Sequence, residues 1–176
     1  MLTIGHSNRS LEEFLPLLAA HAVEVLVDVR TVPRSRHNPQ FNRESLPEPL
    51  CAAGIEYVHM PGLGGLRRAG KDSINTGWRN LSFRGFADYM QTAEFEKHLL
   101  ELERLDRERR AAIMCAEAVP WRCHRSLIAD ALTARGVEVR HIMSAAKADA
   151  HRLTPFAHVE GTRVTYPPED LELFPQ

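Results

Sequence analysis

The feature of this sequence that most restricts its fold is the alternation of short apolar runs with segments of helical periodicity. The apolar runs lie at residues 1–4, 24–29, 55–59, 111–114 and 137–142. Runs of this length predict strands, and the helical segments between them are suited to connecting parallel strands. The pattern therefore predicts an α/β three-layer sandwich with a mainly parallel five-stranded sheet and a small C-terminal appendage.

The connecting segments carry their own start and stop signals. Ser10 and Glu13 match a capping box at the start of the first helix, and a short amphipathic stretch spans residues 44–53. Residues 86–110 predict a single long helix, and a further helix follows residue 126. Residues 61–84 have no clear period and predict a long loop.

Length and composition restrict the class of protein. With 176 residues, the chain is long enough for one α/β domain over residues 1–176, which we divide into a core at 3–142 and a C-terminal extension at 143–176. A net charge of −1 gives no overall attraction to nucleic acid or membrane. No secretory signal is visible, and no apolar run approaches the roughly 18 residues of a membrane span. Three cysteines form no disulfide framework, so we expect a cytoplasmic protein without a membrane partner.

Polar side chains follow several of the predicted strands at the point where each strand ends. His6 follows the first strand, Asp28 and Arg30 end the second, and Cys115 and Glu117 end the fourth. The carboxyl ends of parallel strands share one edge of the sheet, where ligands bind in open α/β folds. These side chains are therefore expected to converge.

The corner after the fourth strand carries the densest group of reactive side chains. Cys115 and Glu117 precede Cys123, His124 and Arg125, which open the next helix. A helix N-terminus lowers the pKa of a thiol and favours anions. Each residue also has a structural interpretation: Cys115 as a packed small hydrophobe, and Glu117 as an ordinary loop acid.

Two loops make the same edge basic. Arg30 and Arg34 belong to the first, which has no acid between Asp28 and Glu44. The 61–84 loop adds further arginines, a lysine and the aromatic residues Trp78 and Phe83. Arginine makes bidentate contacts with phosphate, and aromatic rings stack on bases. The edge therefore predicts an anionic ligand such as a nucleotide or a nucleic-acid strand.

A metal site is not favoured by the spacing of the candidate ligands. Cys115, Cys123 and His124 are zinc-type ligands, but the two cysteines do not form a short zinc-knuckle pair and the chain has no CxxC. It also lacks a Walker A sequence and a GxGxxG after the first strand. We therefore expect no metal and no cofactor.

Several motifs, in one order, resemble the bacterial and archaeal domain-of-unknown-function family number 488. They are Thr3-Ile4-Gly5-His6-Ser7, Asp28-Val29-Arg30, Pro33-Arg34-Ser35, Asn38-Pro39-Gln40-Phe41, Leu63-Gly64-Gly65, Cys115-Ala116-Glu117 and Cys123-His124-Arg125. The resemblance spans residues 3–142 and implies signature positions, Asn38 among them, without roles.

A weaker likeness is to the rhodanese fold, in which an Asp-Val-Arg and a strand-ending Cys before an Arg-Ser also occur. Here the loop between Cys115 and Arg125 contains Pro120, which donates no N–H, so the loop is less suited to cradling an anion. The likeness is an analogy of fold.

Three hypotheses remain open. In the first, the chain is an enzyme acting on a phosphate-bearing nucleotide or nucleic acid. Arg30, Arg34 and Arg125 would hold the anion beside Asn38 and His124, with Asp28 orienting Arg30. Glu117 and His6 would act as acid and base, and Cys123 or Cys115 would be the nucleophile unless hydrolysis needs no covalent step.

The second hypothesis is a non-catalytic nucleotide or nucleic-acid binding module, and the third is rhodanese-like thiol chemistry.

Overall fold

The computed structural model describes residues 1–168. The strands in that part are β1 (Leu2–Gly5), β2 (Val25–Asp28), β3 (Glu56–His59), β4 (Ala111–Cys115), β5 (Arg140–Ser144), β6 (Lys147–Ala150), β7 (His158–Glu160) and β8 (Arg163–Thr165). The helices are α1 (Leu11–Ala20), α2 (Pro47–Ala52), α3 (Leu81–Tyr89), α4 (Ala93–Glu108) and α5 (Arg125–Ala134). None of these helices is both long enough and apolar enough to cross a bilayer.

The main sheet has six strands in the order β3-β2-β4-β1-β5-β6, and all neighbours except β5 and β6 are parallel. This confirms the predicted α/β fold with a mainly parallel sheet, but the predicted strand count was one short. The sixth strand, β6, lies in the C-terminal extension and pairs antiparallel with β5. Its sequence, Lys-Ala-Asp-Ala, has low strand propensity, so only its pairing with β5 makes it a strand.

Helices cover both faces of the sheet. Residues of α1 and α2 pack with alternate sheet residues into one apolar cluster, and residues of α3, α4 and α5 pack into the other. Along β4, Ala112 and Met114 face the first cluster while Ile113 and Cys115 face the second, because successive strand side chains point to opposite faces. The thiol of Cys115 is thereby directed to the side that carries α5.

The predicted helix over residues 86–110 was wrong, since two helices occupy this region. The α3 helix starts earlier, at Leu81, after the N-cap Asn80, whose side chain accepts a hydrogen bond from Ser82 N at 2.9 Å. The α4 helix starts anew at Ala93, after the N-cap Thr92, which accepts from Phe95 N at 3.2 Å. The N-cap at Thr92 therefore divides a segment whose apolar spacing is continuous.

The C-terminal segment is joined to the core through Asp130 of α5. This fully buried carboxylate accepts hydrogen bonds from His151, Thr154 and Tyr166. The predicted hairpin around Glu160-Gly161 is confirmed as β7–β8. The extension thus contributes both a sheet strand and buried side chains.

Candidate functional site

A pocket of about 450 Å³ opens at the carboxyl end of β4, between the corner after that strand, the loop after β2 and the start of α3. Its lining residues are Arg30, Thr31, Val32, Gly65, Leu66, Asn80, Ser82, Phe83, Cys115, Ala116, Glu117, Arg122, Cys123 and His124. This is the edge of the sheet at which a parallel α/β fold binds ligands.

Two thiols and an imidazole meet at this pocket. Cys115 and Cys123 are buried, and the Nδ1 atom of His124 lies 3.9 Å from the first sulfur and 3.7 Å from the second. The Nε2 atom of His124 is 3.2 Å from the carbonyl oxygen of Val29. Because a carbonyl only accepts, Nε2 carries a proton, and Nδ1 is the ring atom that faces the two sulfurs.

The pKa values of the two thiols are shifted in opposite directions. The pKa of the Cys115 thiol is lowered, mainly because the neighbouring Cys123 thiol favours its thiolate, and His124 and Arg125 add to the effect against the opposing effect of burial. The pKa of Cys123 is raised by the neighbouring Cys115 sulfur and by burial. The pair therefore loses one proton readily and keeps the other.

Arg125 holds the corner from inside the protein. Its side chain is 1% exposed and donates to the carbonyl oxygens of Glu117 at 2.6 Å and Ala118 at 2.9 Å. Gly5 of β1 makes this packing possible, because a Cβ atom there would lie 1.8 Å from the Glu117 carbonyl oxygen. The Glu117 carboxylate is left exposed at the pocket and makes no hydrogen bond or ion pair with residues 1–168.

Arg30 is held beside the pocket by a buried ion pair. Its Nε and Nη2 atoms donate to the two oxygens of Asp28 at 2.9 and 2.6 Å, and Nη2 also donates to the carbonyl of Phe41. The Nη1 atom lies 3.2 Å from Nε2 of His6, whose Nδ1 is 2.7 Å from the carbonyl of Ser7. His6 also stacks on Phe41 at 4.2 Å, so it braces Arg30 from behind.

We expect acidification to destabilise the protein through His6. Burial, assisted by the charge of Arg30, lowers the pKa of His6 from 6.5 to about 4. The unfolded chain binds this proton below about pH 6.5 while the folded chain resists it, so folding loses about 2 kcal/mol from this group between pH 7 and pH 5. Urea unfolding at both pH values checks this, with His6→Gln as the variant that lacks the contribution. An equal pH-dependent loss in both proteins would contradict it.

The structure brings together only part of the predicted set of site residues. Arg30, Cys115, Glu117, Cys123 and His124 line the pocket. The other five do not line it: His6 and Asp28 support Arg30, Arg125 turns to the loop carbonyls, Arg34 is exposed, and Asn38 precedes a 3-10 turn at Pro39–Phe41. The roles assigned to these ten residues stay predictions.

Sequence reasoning missed several residues of the pocket wall, among them Thr31, Gly65, Asn80 and Ser82. Gly65 had a signal in the Leu63-Gly64-Gly65 motif. A Cβ atom at this position would lie 2.5 Å from Nδ1 of His124, so glycine allows the imidazole to occupy its place. Cys51, the third cysteine, is exposed on α2 and lies outside the pocket.

Residues 10–132 match the family model described as "Domain of unknown function DUF488". The match covers more than half of the chain and includes the Asp28–Arg30 pair, Gly64-Gly65, and the corner after β4 from Cys115 to Arg125. No curated protein and no solved structure matches the chain.

Proposed function

Since the chain belongs to the DUF488 family, whose description names no activity, we propose a function from its pocket. The proposed function is that of an enzyme acting on a phosphate-bearing nucleotide or nucleic acid, with Cys115 as the nucleophile. The observation that carries this proposal is the position of Cys115. Its thiol lies at the carboxyl end of β4, lines the pocket, and has both His124 and Cys123 beside it.

The neighbours of Cys115 favour the thiolate, which is the attacking form of cysteine. Cys123 and the buried cation of Arg125 both lower the pKa of Cys115. If the side chain at position 115 only filled space in the core, a small hydrophobic residue would serve equally well and would not need these two neighbours. The contacts therefore support a chemical role over a packing role.

The pocket wall supports an anionic substrate with an aromatic part. Arg122 is exposed at the pocket and makes no ion pair within residues 1–168, so its guanidinium is available for a phosphate. Phe83, which stacks on Trp78 at 4.7 Å, and Leu66 supply apolar surface on the same pocket. A phosphate beside a planar base has this combination of charge and apolar surface.

In the proposed reaction the Cys115 sulfur forms a bond to the electrophilic phosphorus while the bond to the leaving oxygen breaks. The exposed carboxyl group of Glu117 lines the same pocket and protonates that oxygen. Its carboxylate then takes a proton from water as the water oxygen forms a bond to phosphorus and the S–P bond breaks, which releases the phosphoryl group as phosphate and restores the Cys115 thiolate. A non-catalytic binding module would use the same arginine but would have no need of Cys115.

The test measures the relative reactivity of the cysteines. Reduced, chelator-treated protein is alkylated with limiting iodoacetamide, and labelled positions are read by mass spectrometry. We expect Cys115 to react at least about 10-fold faster than Cys51 at neutral pH, because a much larger thiolate fraction outweighs the lower nucleophilicity of a low-pKa thiol. Cys51 is the exposed thiol and Cys115 the buried one, so exposure alone predicts the opposite order.

Two variants complete this test. Cys51→Ser is expected to keep the fast reaction, and Cys115→Ser to lose both it and any turnover of a chromogenic phosphate ester. Equal reactivity of Cys115 and Cys51 would remove the nucleophile from the proposal. Turnover that persists in Cys115→Ser would likewise refute the covalent step.

A further inference from the structure

The three groups that meet at the pocket are also arranged as metal ligands. The Sγ atoms of Cys115 and Cys123 and the Nδ1 atom of His124 all lie within 4.8 Å of one another. Two thiolates and one imidazole are a ligand set that proteins use for zinc. We propose that these residues bind a zinc-type divalent cation through three protein ligands, with the fourth coordination position directed to the pocket.

The observed distances match those of a tetrahedral ion. With Zn–S about 2.3 Å and Zn–N about 2.0–2.1 Å, a sulfur and a nitrogen bound to one tetrahedral zinc lie about 3.6 Å apart. The two sulfur–nitrogen distances here are 3.9 and 3.7 Å. The two sulfur–nitrogen distances therefore need to change by only a few tenths of an ångström for coordination, and the two sulfurs lie within 4.8 Å of each other.

The hydrogen bond that the Nε2 atom of His124 makes is typical of a histidine that binds a metal through Nδ1. The Nε2–H of His124 donates to the carbonyl oxygen of Val29, so Nδ1, which is directed at the sulfurs, is the ring nitrogen available to bind an ion once it carries no proton. A ligating histidine commonly donates its other ring N–H to a carbonyl or carboxylate in this way. Gly65 leaves room for this ring position, since a side chain there would meet Nδ1.

The charges and the surroundings of the cluster agree with an ion at this place. Two thiolates carry a charge of −2, which a divalent ion cancels as the thiol protons are released. All three ligands line the pocket, so a fourth ligand from solvent or substrate has access. A three-ligand site with an open position is the arrangement of catalytic rather than structural zinc.

The spacing of the cysteines argued against a metal, but the fold removes that objection. Cys115 ends β4, and Cys123 follows a 3-10 turn at Pro120–Arg122 that brings the chain back to the strand end. The expectation of no metal stays an untested prediction, and this proposal opposes it.

This inference stands apart from the proposed function. A bound ion uses the electron pair of the Cys115 sulfur, so the metal-loaded chain has no nucleophile at this position. Metal-bound and reactive protein are therefore alternative states of one site, and the two proposals fail separately.

The experiment titrates the reduced, metal-free full chain with Co²⁺ and follows the visible absorption of tetrahedral Co²⁺–thiolate bonds. We expect saturation at one ion per chain and displacement by Zn²⁺. Cys123→Ser is expected to weaken binding at least about 100-fold, which exceeds the usual effect of a change outside the ligand shell. Cys51→Ser is the matched control and should bind as the wild type does. A Co²⁺ titration without thiolate absorption, or equal affinity in both variants, would overturn the proposal.

A second measurement needs no variant. Wild-type protein is alkylated with iodoacetamide with and without one equivalent of Zn²⁺. We expect Zn²⁺ to protect Cys115 and Cys123 and leave Cys51 reactive. Fast labelling of Cys115 that Zn²⁺ does not slow would refute the metal site and leave the proposed nucleophile intact, whereas protection of a slowly reacting Cys115 would do the reverse.

Discussion

Replacing Asp130 by alanine is expected to lower the free energy of unfolding by about 3–5 kcal/mol. The carboxylate is fully buried and accepts from His151 Nε2 at 2.8 Å, from Thr154 N at 3.0 Å and Oγ1 at 2.7 Å, and from the Tyr166 hydroxyl at 2.7 Å. Alanine leaves these donors without an acceptor in the interior, and it removes the hydrogen bonds between Asp130 of α5 and the C-terminal segment. Urea unfolding followed by circular dichroism measures the loss.

Tyr166→Phe is the control for this prediction. It removes one donor and leaves the other hydrogen bonds to Asp130 in place, so its expected cost is about 1–2 kcal/mol. If Asp130→Ala costs no more than Tyr166→Phe, the carboxylate does not have the central role that its contacts indicate. A larger cost for the alanine variant confirms that role.

Replacing Asp28 by alanine is expected to cost a similar amount, about 3–5 kcal/mol, for a different reason. Asp28 is fully buried and Arg30 is 8% exposed, and three hydrogen bonds join the pair, two from the guanidinium and one from the backbone N–H of Arg30. Removing the carboxylate leaves a buried guanidinium without a counter-charge. It also removes the acceptor of the Tyr57 hydroxyl at 2.7 Å. Urea unfolding of the variant at neutral pH measures the effect.

Glu108→Ala supplies the surface comparison for Asp28→Ala. Glu108 pairs with Arg104 at 2.7 Å, but both side chains are more than half exposed. Water screens such a pair, so its loss should change stability by no more than about 0.5 kcal/mol. Comparable losses in the two variants would show that burial does not set the strength of the Asp28–Arg30 contact.

The two proposals for the pocket assign different states to the same sulfur. As a free thiolate, Cys115 is the nucleophile, and as a metal ligand it is occupied. The alkylation and cobalt experiments separate these states, because one measures reactivity and the other coordination.

The sequence predicted which edge of the sheet carries the pocket, but it did not predict the contacts that the side chains make there. Placing His6, Arg30 and Cys115 at strand ends required only the apolar periodicity and the geometry of parallel sheets. The same reasoning could not predict where each arginine side chain points. Arg125 turns to two loop carbonyls, and Arg30 is held by Asp28, whereas Arg122, which was given no specific role, faces the pocket.

The sequence by itself determined the parallel core of the sheet, the capped start of α1 and the edge at which polar residues gather. These depend on local periodicity and on short-range capping, which are written into neighbouring residues. Only the tertiary structure decided the sixth strand, the Asp130–His151 contact and the meeting of Cys115, Cys123 and His124. Each of these features joins residues that belong to different local elements of the fold. Which of them come into contact depends on how the helices and strands of the whole domain pack together.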